Sequence, residues 1–323
     1  MKQSTAISTS PDVITLGEAL VVFAACEAGA LDRVFQFSKH AAGAETNVAT
    51  GLARMGLHAA WASLLGDDSL GQYLLFHMQS QGIDCTHVDV MAGGKSAFMF
   101  KTRQDDGADP ITEYHRRGSA ASQFSAENLD IPWLTSARHL HVSGVFPALS
   151  DSTLSATRQA MINMRKAGRT ISFDPNLRPT LWATEARMCS VIEELASLAD
   201  WVMPGIDEAR LLTGLNTASD ISAHYLDRGA QRVFIKSGAT GAWFQQQGMS
   251  EPVHMPAQPV EQVIDTVGAG DAFAVGVISA LLEGKDCAAA VRRGQWMGAR
   301  AIQVRGDSDG LPTREQWQKA NVD

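Results

Sequence analysis

The sequence predicts an α/β fold whose central sheet is mostly parallel and is flanked by helices. From about residue 125 onward, short apolar strands alternate with amphipathic helices, which is typical of parallel sheets covered on both faces. Apolar residues make up 45% of the 323 residues, so a substantial core is available. The chain shows no low-complexity linker and no internal repeat, so we expect one α/β domain over residues 1–323.

The N-terminal elements are expected to be mainly strands. Asp12–Leu16 is an apolar run that ends at a glycine, and Val34–Ser38 is a further short candidate. Lys95–Arg103 and Ile111–Arg117 alternate apolar with polar residues. Because only the polar segment Gln104–Pro110 separates them, these two strands predict a hairpin.

The C-terminal half alternates strands with helices. The helix Ser152–Ala167 begins at a Ser or Asp cap and ends at Gly168, and Glu185–Leu198 carries apolar side chains on one helical face. The strands expected here are Arg138–Ser143, Thr170–Asp174, Trp201–Met203 and Arg232–Lys236. Ligands of such sheets bind beyond the carboxyl ends of the strands. The residues that follow strands, and that we therefore expect to converge, are Gly17, Asp174, Glu208 and Ser237.

Composition excludes several partner classes. The net charge is −8 and no basic cluster appears, so nucleic acid and anionic membranes are poor partners. The first ten residues lack the apolar core of a signal peptide, and no stretch approaches the ~18 apolar residues of a membrane span. The four cysteines are isolated from one another, which suits a reducing cytoplasm.

Residues 265–276, DTVGAGDAFAVG, carry the strongest functional signal. Small residues at Gly268, Ala269 and Gly270 allow backbone N–H groups to point at one spot before an apolar helix. That spot lies at the positive end of the helix dipole, which favours phosphate oxygens. The same phosphates would repel the Asp271 carboxylate, so an acidic residue at this position indicates a functional role. Accepting the proton of an attacking hydroxyl is such a role.

Two other interpretations of this loop are weaker. A dinucleotide-binding oxidoreductase needs G-x-G-x-x-G after its first strand, but the third place is Phe273 and the loop lies near the C-terminus. A purely structural Gly-rich turn would not account for acidic residues at both Asp265 and Asp271.

The loop resembles the C-terminal signature D-T-x-G-A-G-D-x-F of the ribokinase-like (PfkB) sugar kinase family. The family's N-terminal signature resembles AAGAETNVATGLARMG at 41–56, about 220 residues earlier, and the resemblance covers nearly all of the chain. It implies an ATP-dependent kinase in which Mg²⁺ bridges the nucleotide phosphates. It also implies a small β-strand lid over the sugar, which we assign to approximately 18–40 and 93–118. Asp265 and Thr266 are implied to border the nucleotide, with a monovalent cation such as K⁺ beside Asp265 in some relatives.

The N-terminal signature is implied to contact the sugar through Gly43 and Asn47, and Gly17 is expected in the same pocket. A side-chain amide suits sugar hydroxyls because it supplies both a donor and acceptors. The alternative is that Asn47 caps a helix over Val48–Met55. Many family members have Gly-Gly where this chain has Ala42-Gly43.

Two further motifs narrow the substrate. YHRRGSAAS at 114–122 and FDPNLRPTLW at 173–182 are similar to the 2-dehydro-3-deoxygluconate kinase branch of the family. The substrate-binding residues that this resemblance implies are Tyr114, Arg116, Asp174, Asn176 and Arg178. Because a guanidinium pairs with a carboxylate or steadies phosphate charge, two arginines indicate an acidic sugar. The alternative, a solvated charge on an edge strand, is the one we adopt for Arg117.

VMPGIDEARLLTG at 202–214 resembles the family's Asn-x-x-Glu motif, which organises magnesium and phosphate. Glu208 fills the acidic place and is expected to act on the metal through water, while Gly205 stands where Asn is usual. From the residues alone, the better interpretation is an acidic pair, Asp207 and Glu208, that complements a helix dipole.

IKSGATGAWF at 235–244 is a strand that enters a glycine-containing turn. In the family this turn borders the nucleotide, which implies cofactor binding by Lys236, Ser237, Gly238 and Gly241. An ordinary hairpin turn is the alternative. Residues 294–302, GQWMGARAI, would lie by the adenine.

Two features imitate functional sites. GGKS at 93–96 resembles the end of a P-loop, but residue 89 is Asp instead of Gly and the segment leads into a strand. His139 and His141 point to one face of a strand without an apparent third ligand, so we interpret them as packing or hydrogen-bonding residues.

The sequence therefore predicts a cytoplasmic, ATP-dependent kinase acting on the terminal hydroxyl of a keto-sugar acid, most simply 2-dehydro-3-deoxy-D-gluconate. A fructokinase or another keto-sugar-acid kinase is the alternative within the family. A catalytically idle sugar-binding regulator is the alternative from a different class, and Gly205 is its only support. Apolar lid residues such as Phe98 and Phe100 predict a homodimer or higher homo-oligomer through the lid.

Overall fold

The computed structural model describes residues 10–104 and 110–320, which form two sheets and the helices around them. The strands are β1 (Val13–Leu16), β2 (Leu20–Ala28), β3 (Phe37–Ala42), β4 (Ala59–Gly66), β5 (Val88–Met91), β6 (Ala97–Arg103), β7 (Thr112–His115), β8 (His139–Ser143), β9 (Thr170–Asp174), β10 (Trp201–Val202), β11 (Arg232–Lys236), β12 (Ala242–Gln246) and β13 (Val253–Met255). The helices are α1 (Ala44–Arg54), α2 (Ser69–Ser80), α3 (Ile131–Ser136), α4 (Asp151–Lys166), α5 (Glu185–Ala196), α6 (Ile206–Thr213), α7 (Ala218–Asp227), α8 (Ala269–Leu282), α9 (Cys287–Ala301) and α10 (Arg314–Ala320).

The large sheet has the order β13-β12-β11-β10-β9-β8-β1-β4-β5. Every neighbouring pair from β11 to β5 is parallel, whereas β12 is antiparallel to β11 and β13 is antiparallel to β12. The expected fold class, a mostly parallel sheet with flanking helices, is confirmed. Its consequence for function is that the carboxyl ends of β1, β8, β9, β10 and β11 all meet at one edge.

Helices cover both faces of the large sheet, and each face has its own apolar core. One core draws on α1, α2, α8, α9 and α10, and the other on α3 to α7. This arrangement explains why the strands read as nearly continuous apolar runs, since both of their faces are buried. Among the described residues, no helix has the length and apolar character needed to cross a bilayer.

Helices α8 and α9 approach each other unusually closely. A Cβ built on Gly276 of α8 would lie 2.4 Å from the backbone nitrogen of Gly294 in α9. Only a residue without a side chain fits at this crossing. The packing fixes α8, and with it the loop that precedes α8, against the rest of the core.

The small sheet has the order β3-β2-β6-β7, with β2 and β6 parallel and the other pairs antiparallel. Its residues alternate between two faces. One face is buried and includes Leu20, Ala42 and Met99, which line a cleft shared with residues at the carboxyl ends of the large sheet. The opposite face carries the rings of Phe23, Phe37, Phe98, Phe100 and His115.

The element predictions succeeded where the pattern was regular. Thr170–Asp174 and Arg232–Lys236 were predicted with their true bounds. The hairpin partners β6 and β7 do pair antiparallel, while residues 105–109 of the predicted turn lie outside the described residues. Val34–Ser38 was placed too early, because β3 begins at Phe37 and overlaps the predicted strand at two residues only. Strand β4 was missed, because AAWASLLG is apolar except for Ser63 and lacks both alternation and β-branched residues.

Candidate active site

The loop before α8 forms a nest of backbone donors. Gly268 is the N-cap and adopts a left-handed φ of 78°. A Cβ at this position would lie 2.2 Å from the carbonyl oxygen of Asp307, so only glycine fits. The first helical hydrogen bond runs from the Ala272 N–H to the Gly268 carbonyl at 2.8 Å. The N–H groups of residues 269–271 precede it and have no intrahelical acceptor, which leaves them available to an anion.

Asp271 lies in the first turn of α8, and two side-chain amides hold its carboxylate. Asn47 Nδ2 donates to Oδ2 at 2.8 Å, and Asn176 Nδ2 approaches Oδ1 at 3.4 Å. Burial raises the pKa of Asp271 to about 7, the Asn47 hydrogen bond opposes this rise, and the charge of Asp174 adds to it. The result is a fixed carboxyl group that titrates near neutral pH beside the nest.

Asn47 lies inside α1, which begins at Ala44 with Gly43 as its N-cap. The alternative that Asn47 caps a helix over Val48–Met55 is therefore wrong. Its amide is directed across the cleft to α8, 224 residues away in sequence. Gly43 and Asn47 both line the cleft.

Lys236 lies at the end of β11, close under the nest. Its Nζ is 2.6 Å from Oδ2 of Asp174, which is 2% exposed. Burial would lower the pKa of Lys236, but the charges of Asp174 and Glu208 outweigh burial and raise it. The ammonium also lies 3.4 Å from the place where a Cβ of Gly270 would be. It is therefore charged and close enough to meet an anion bound at the nest.

Glu208, in the first turn of α6, fastens two segments of the cleft wall together. Its Oε1 accepts the Leu177 N–H and its Oε2 accepts the Gly205 N–H, both at 2.7 Å. The second contact caps α6, and Asp207 and Glu208 both lie in its first turn, where the helix-dipole interpretation placed them. Glu208 also lines the cleft, so a water-mediated metal role is compatible with its position.

Arg116 enters the cleft from the small sheet, but a carboxylate already neutralises it. Its Nε donates to Glu18 Oε2 at 2.9 Å, and its Nη2 lies 2.6 Å from the same oxygen. Glu18 is 2% exposed, and its other oxygen accepts the Ser119 hydroxyl at 2.6 Å. Tyr114 lines the cleft beside Arg116, with the guanidinium 5.5 Å from its ring centre.

Arg178 differs from the other cations of the cleft. It is exposed, and its Nη1 donates to the carbonyl of Leu177 at 2.8 Å. Among the described residues, no carboxylate lies within 4.0 Å of its guanidinium. Asn176, two residues earlier, has a φ of 37°, a left-handed conformation that asparagine tolerates better than most residues. This turn brings the Asn176 amide to Asp271 and leaves Arg178 at the cleft wall.

Most of the predicted site residues converge on this single cleft. The lining includes Gly43, Asn47, Tyr114, Arg116, Asp174, Asn176, Arg178, Glu208, Lys236, Thr266, Gly268, Gly270 and Asp271. Ala269 lies within the nest itself. Gly17 follows β1 as expected but is covered by Glu45, since a Cβ on it would lie 2.2 Å from Glu45 Oε2. Glu45 in turn accepts the Ser143 hydroxyl, and burial raises its pKa to about 7.

The remaining nucleotide-side residues lie around the cleft. Ser237 borders a neighbouring cavity with Thr240, while Gly238 and Gly241 adopt positive φ values in the turn between β11 and β12. Asp265 borders a third cavity behind the nest. Residues 294–302 lie mostly in α9, against α8.

Three charged residues near the site were missed by the sequence reasoning. They are Glu18, Lys101 and Asp307, which all line the cleft. Glu18 could have been found, because it directly follows the glycine that ends β1. Lys101 and Asp307 carried no recognisable signal, since one is a charge within an alternating strand and the other lies in a Gly/Asp-rich loop.

The two features interpreted as imitations behave as expected. His139 and His141 are buried and share the Ser172 hydroxyl at 2.8 Å each. Burial lowers the pKa of both histidines, which keeps them neutral. The segment GGKS runs into β6, so it has no helix to hold a phosphate.

Comparisons with known proteins extend over nearly the whole chain. The family described as pfkB family carbohydrate kinase matches residues 10–314. A 2-dehydro-3-deoxygluconokinase from Bacillus subtilis (strain 168) is 45% identical over 306 residues, 94% of each chain. The crystal structure of a PfkB protein from Polaromonas sp. JS666 has 51% identity and a TM-score of 0.89, covering 96% of this chain and 99% of that one. A protein assigned as ribokinase II from E. coli, in complex with ATP and Mg²⁺, has 25% identity and a TM-score of 0.88, covering 96% and 98%.

Proposed function

Because the chain belongs to the pfkB family of carbohydrate kinases, we propose that it transfers the γ-phosphate of ATP to the terminal hydroxyl of 2-dehydro-3-deoxy-D-gluconate. One observation carries the proposal: the Asp271 carboxylate is held by two amides beside a nest of free N–H groups, inside a cleft. The relative from B. subtilis supports the choice of sugar acid.

The chemistry follows from this placement. The sugar hydroxyl oxygen attacks the γ-phosphorus while the bond from that phosphorus to the bridging oxygen breaks, and ADP leaves. The hydroxyl proton passes to Asp271, a contribution typically worth about 10²–10⁴-fold in rate. The N–H groups of residues 269–271 stabilise charge on the transferring group, and the half-buried Lys236 adds a positive charge beside them.

The donor set fits ATP accompanied by Mg²⁺. Among residues 10–104 and 110–320 there is no group of three or more acidic, histidine or cysteine side chains able to hold a metal alone. Mg²⁺ commonly keeps several waters and is held by one or two carboxylates plus substrate phosphates, a role for which Glu208 is placed. When bound, the ion neutralises charge on the phosphates.

An acidic substrate is favoured by the pairing of charges in the cleft. Arg116 is paired with Glu18 and Lys236 with Asp174, whereas Arg178 forms no salt bridge within 4.0 Å among the described residues, although its charge reaches Asp271 and lowers the pKa of that carboxyl group. We assign the substrate carboxylate chiefly to Arg178, and Arg116 orients the sugar with its remaining donors. Tyr114 and Asn176 complete the polar wall of this pocket.

The experiment is an ADP-release assay on the purified protein with a panel of neutral and acidic sugars. We expect the highest kcat/KM with 2-dehydro-3-deoxy-D-gluconate. A higher value with fructose, or with another keto-sugar acid, would select the alternative within the family. Sugar binding without any ADP release would instead identify a non-catalytic regulator.

We further propose that the small sheet is a lid, at approximately 18–40 and 93–118, and that it mediates a homodimer. Its face away from the cleft presents a cluster of aromatic rings, in which Phe98 stacks on His115 at 4.6 Å. Such a cluster is a reasonable interface core. Light scattering on the protein and on a Phe100→Lys variant tests this, since the variant should be monomeric. A cytoplasmic location remains a prediction from the isolated cysteines.

A further inference from the structure

A buried lysine connects the small sheet to the loop before the nest. Lys101 lies in β6, and its Nζ is 2.6 Å from Asp265 Oδ2 and 3.8 Å from Asp307 Oδ1. All three side chains are only 9–10% exposed. The cluster belongs to three separate parts of the chain, so its geometry depends on the tertiary fold.

Both carboxylates of this cluster are built into the nest. Asp265 Oδ1 accepts the Val267 N–H at 3.2 Å, one residue before the N-cap Gly268. The carbonyl of Asp307 packs so closely on Gly268 that no Cβ fits between them. A shift of either acid would therefore move the backbone that presents the N–H groups.

Two buried carboxylates in one place repel each other unless a cation lies between them. Burial raises the pKa of Asp307 to about 6, Lys101 opposes the rise, and Asp265 adds to it. The charge of Asp309 also raises the pKa of Asp307, while Arg103 and Arg305 line the adjoining cavity, so charges of both signs surround the junction.

We propose that the ammonium of Lys101 is the built-in cation of this junction. It holds the Asp265 loop and the Asp307 loop together, positions the nest, and makes an exchangeable monovalent cation unnecessary. Lys101 is thus a positioning residue, and its effect on turnover rests on the proposed kinase function.

The position of Lys101 also couples the two sheets. Met99 and Lys101 lie on the same face of β6, and both line the cleft. Movement of the small sheet would therefore pull on Asp265 through the ion pair. The ion pair therefore adds a link from the small sheet to the loop that the packing of α8 already holds.

The first test compares cations in the ADP-release assay. Wild-type activity should change by less than ~2-fold when tetramethylammonium replaces K⁺ or NH₄⁺ at constant ionic strength, because buried pairs are little affected by salt. In Lys101→Met, kcat should fall by at least ~10-fold, since both buried carboxylates lose their counter-charge. K⁺ or NH₄⁺ should restore activity in a saturable manner, and the larger tetramethylammonium should not.

The matched control is Lys95→Met, which removes an exposed lysine just before the same strand. It should leave kcat and cation response unchanged. A fully active Lys101→Met enzyme without cation response would overturn the proposal. So would a wild-type enzyme that K⁺ activates by more than ~10-fold, since the site would then bind an exchangeable ion.

A second test does not depend on turnover. Thermal unfolding of Lys101→Met should occur at a lower Tm than that of the wild type, and K⁺ or NH₄⁺ should raise the Tm of the variant more than that of the wild type. Equal shifts in both proteins would refute a cation site at this junction. If the wild type released no ADP with any sugar, the proposed kinase function would be refuted. The Tm measurements would still test whether Lys101 serves as the cation of this junction. If Lys101→Met does not fold, Lys101→Arg should fold and remain independent of monovalent cations.

Discussion

Replacing Asp271 by asparagine should abolish the proton acceptor and also stabilise the fold above neutral pH. The two effects have one origin, because the carboxylate is held in a place where its charge is costly. Burial raises its pKa from the ordinary 3.8 to about 7. Asparagine is close in shape to the protonated acid and carries no charge at any pH.

The size of the stabilisation follows from this shift. A rise of about 3 pKa units corresponds to at most about 4 kcal/mol of charge burial at a pH well above 7. Asparagine presents only one oxygen, so it cannot accept from both Asn47 and Asn176. Losing the longer contact, that from Asn176, should cost about 1–3 kcal/mol. The expected net gain for Asp271→Asn is therefore about 1–3 kcal/mol at pH 8.5.

The sign of the pH dependence is fixed by the direction of the shift. Because the folded-state pKa lies above the unfolded-state value, the Asp271 contribution to wild-type stability is present below pH 4 and is lost as the pH rises through about 7. The stability advantage of the variant should therefore be largest above pH 7 and smallest near pH 4. Across the same range, wild-type kcat/KM should rise with pH as the base ionises.

Urea unfolding at pH 5 and pH 8.5 measures the stability difference, and ADP release measures turnover. We expect kcat of Asp271→Asn to fall by at least ~10²-fold with sugar binding retained. Asp227→Asn, which alters an exposed acid at the end of α7, is the control and should change neither quantity. Normal turnover by Asp271→Asn would remove this residue from its role. An unchanged free energy of unfolding at pH 8.5 would refute the electrostatic reasoning.

Three further predictions concern other parts of the molecule. Arg178→Ala should raise KM for acidic sugars by at least ~10-fold and KM for neutral sugars much less, as measured by ADP release; equal effects would argue against carboxylate recognition. Arg116→Ala should also raise KM more for acidic than for neutral sugars, and should lower the urea midpoint because Glu18 is left buried and unpaired. Gly276→Ala should destabilise the fold by about 1–3 kcal/mol through its clash with α9, while Gly298→Ala, where a Cβ lies 3.3 Å from the nearest backbone oxygen, should cost less.

The sequence predicted the nest well because the residues that present the free N–H groups directly follow a residue whose backbone conformation requires glycine. Gly268 is required both by its left-handed φ and by the Asp307 carbonyl that packs on it. Asp271 is fixed to the nest by its place in the first turn of α8. Local sequence therefore specified the turn and the start of the helix, while the Asp307 carbonyl and the two amides that hold Asp271 come from distant segments.

Residues whose placement depends on long-range packing were predicted less well. The resemblance placed Asn47 at the substrate, but the residues alone left a helix cap equally open; Asn47 is interior to α1, lines the cleft and bonds to a residue on α8. Gly17 was expected in the pocket, but the buried carboxylate of Glu45 covers it. In both cases the deciding partner lies on another element, and no local pattern identifies that partner.

Arg116 shows that the local sequence also fails to predict which charged residues pair with each other. Its motif indicated a cation free to bind an acidic sugar, and nothing in 114–122 showed that Glu18 would pair with it. The pairing does not remove Arg116 from recognition, because a guanidinium has five N–H donors. It does change the electrostatics, since the pair as a whole is neutral. Among the cleft cations of residues 10–104 and 110–320, Arg178 is the one without a salt bridge, so we expect it to meet the substrate carboxylate.

Glu208 illustrates a residue for which both sequence interpretations can hold together. Its oxygens each accept one backbone N–H, which joins α6 to the segment that carries Arg178. A carboxylate has about four lone-pair sites, so these contacts leave capacity for a metal-bound water.

The charges that line the cleft bear on how a nucleotide enters it. The acidic groups there are Glu18, Asp174, Glu208, Asp271 and Asp307, and the basic groups are Lys101, Arg116, Arg178 and Lys236. A polyphosphate and a sugar acid must therefore bind where positive and negative charges already nearly cancel. Backbone N–H groups of the nest attract phosphate without carrying a full charge that would need its own counter-ion. The further positive charge that the phosphates need must come from Mg²⁺ bound to the nucleotide. We therefore expect ATP without Mg²⁺ to bind weakly.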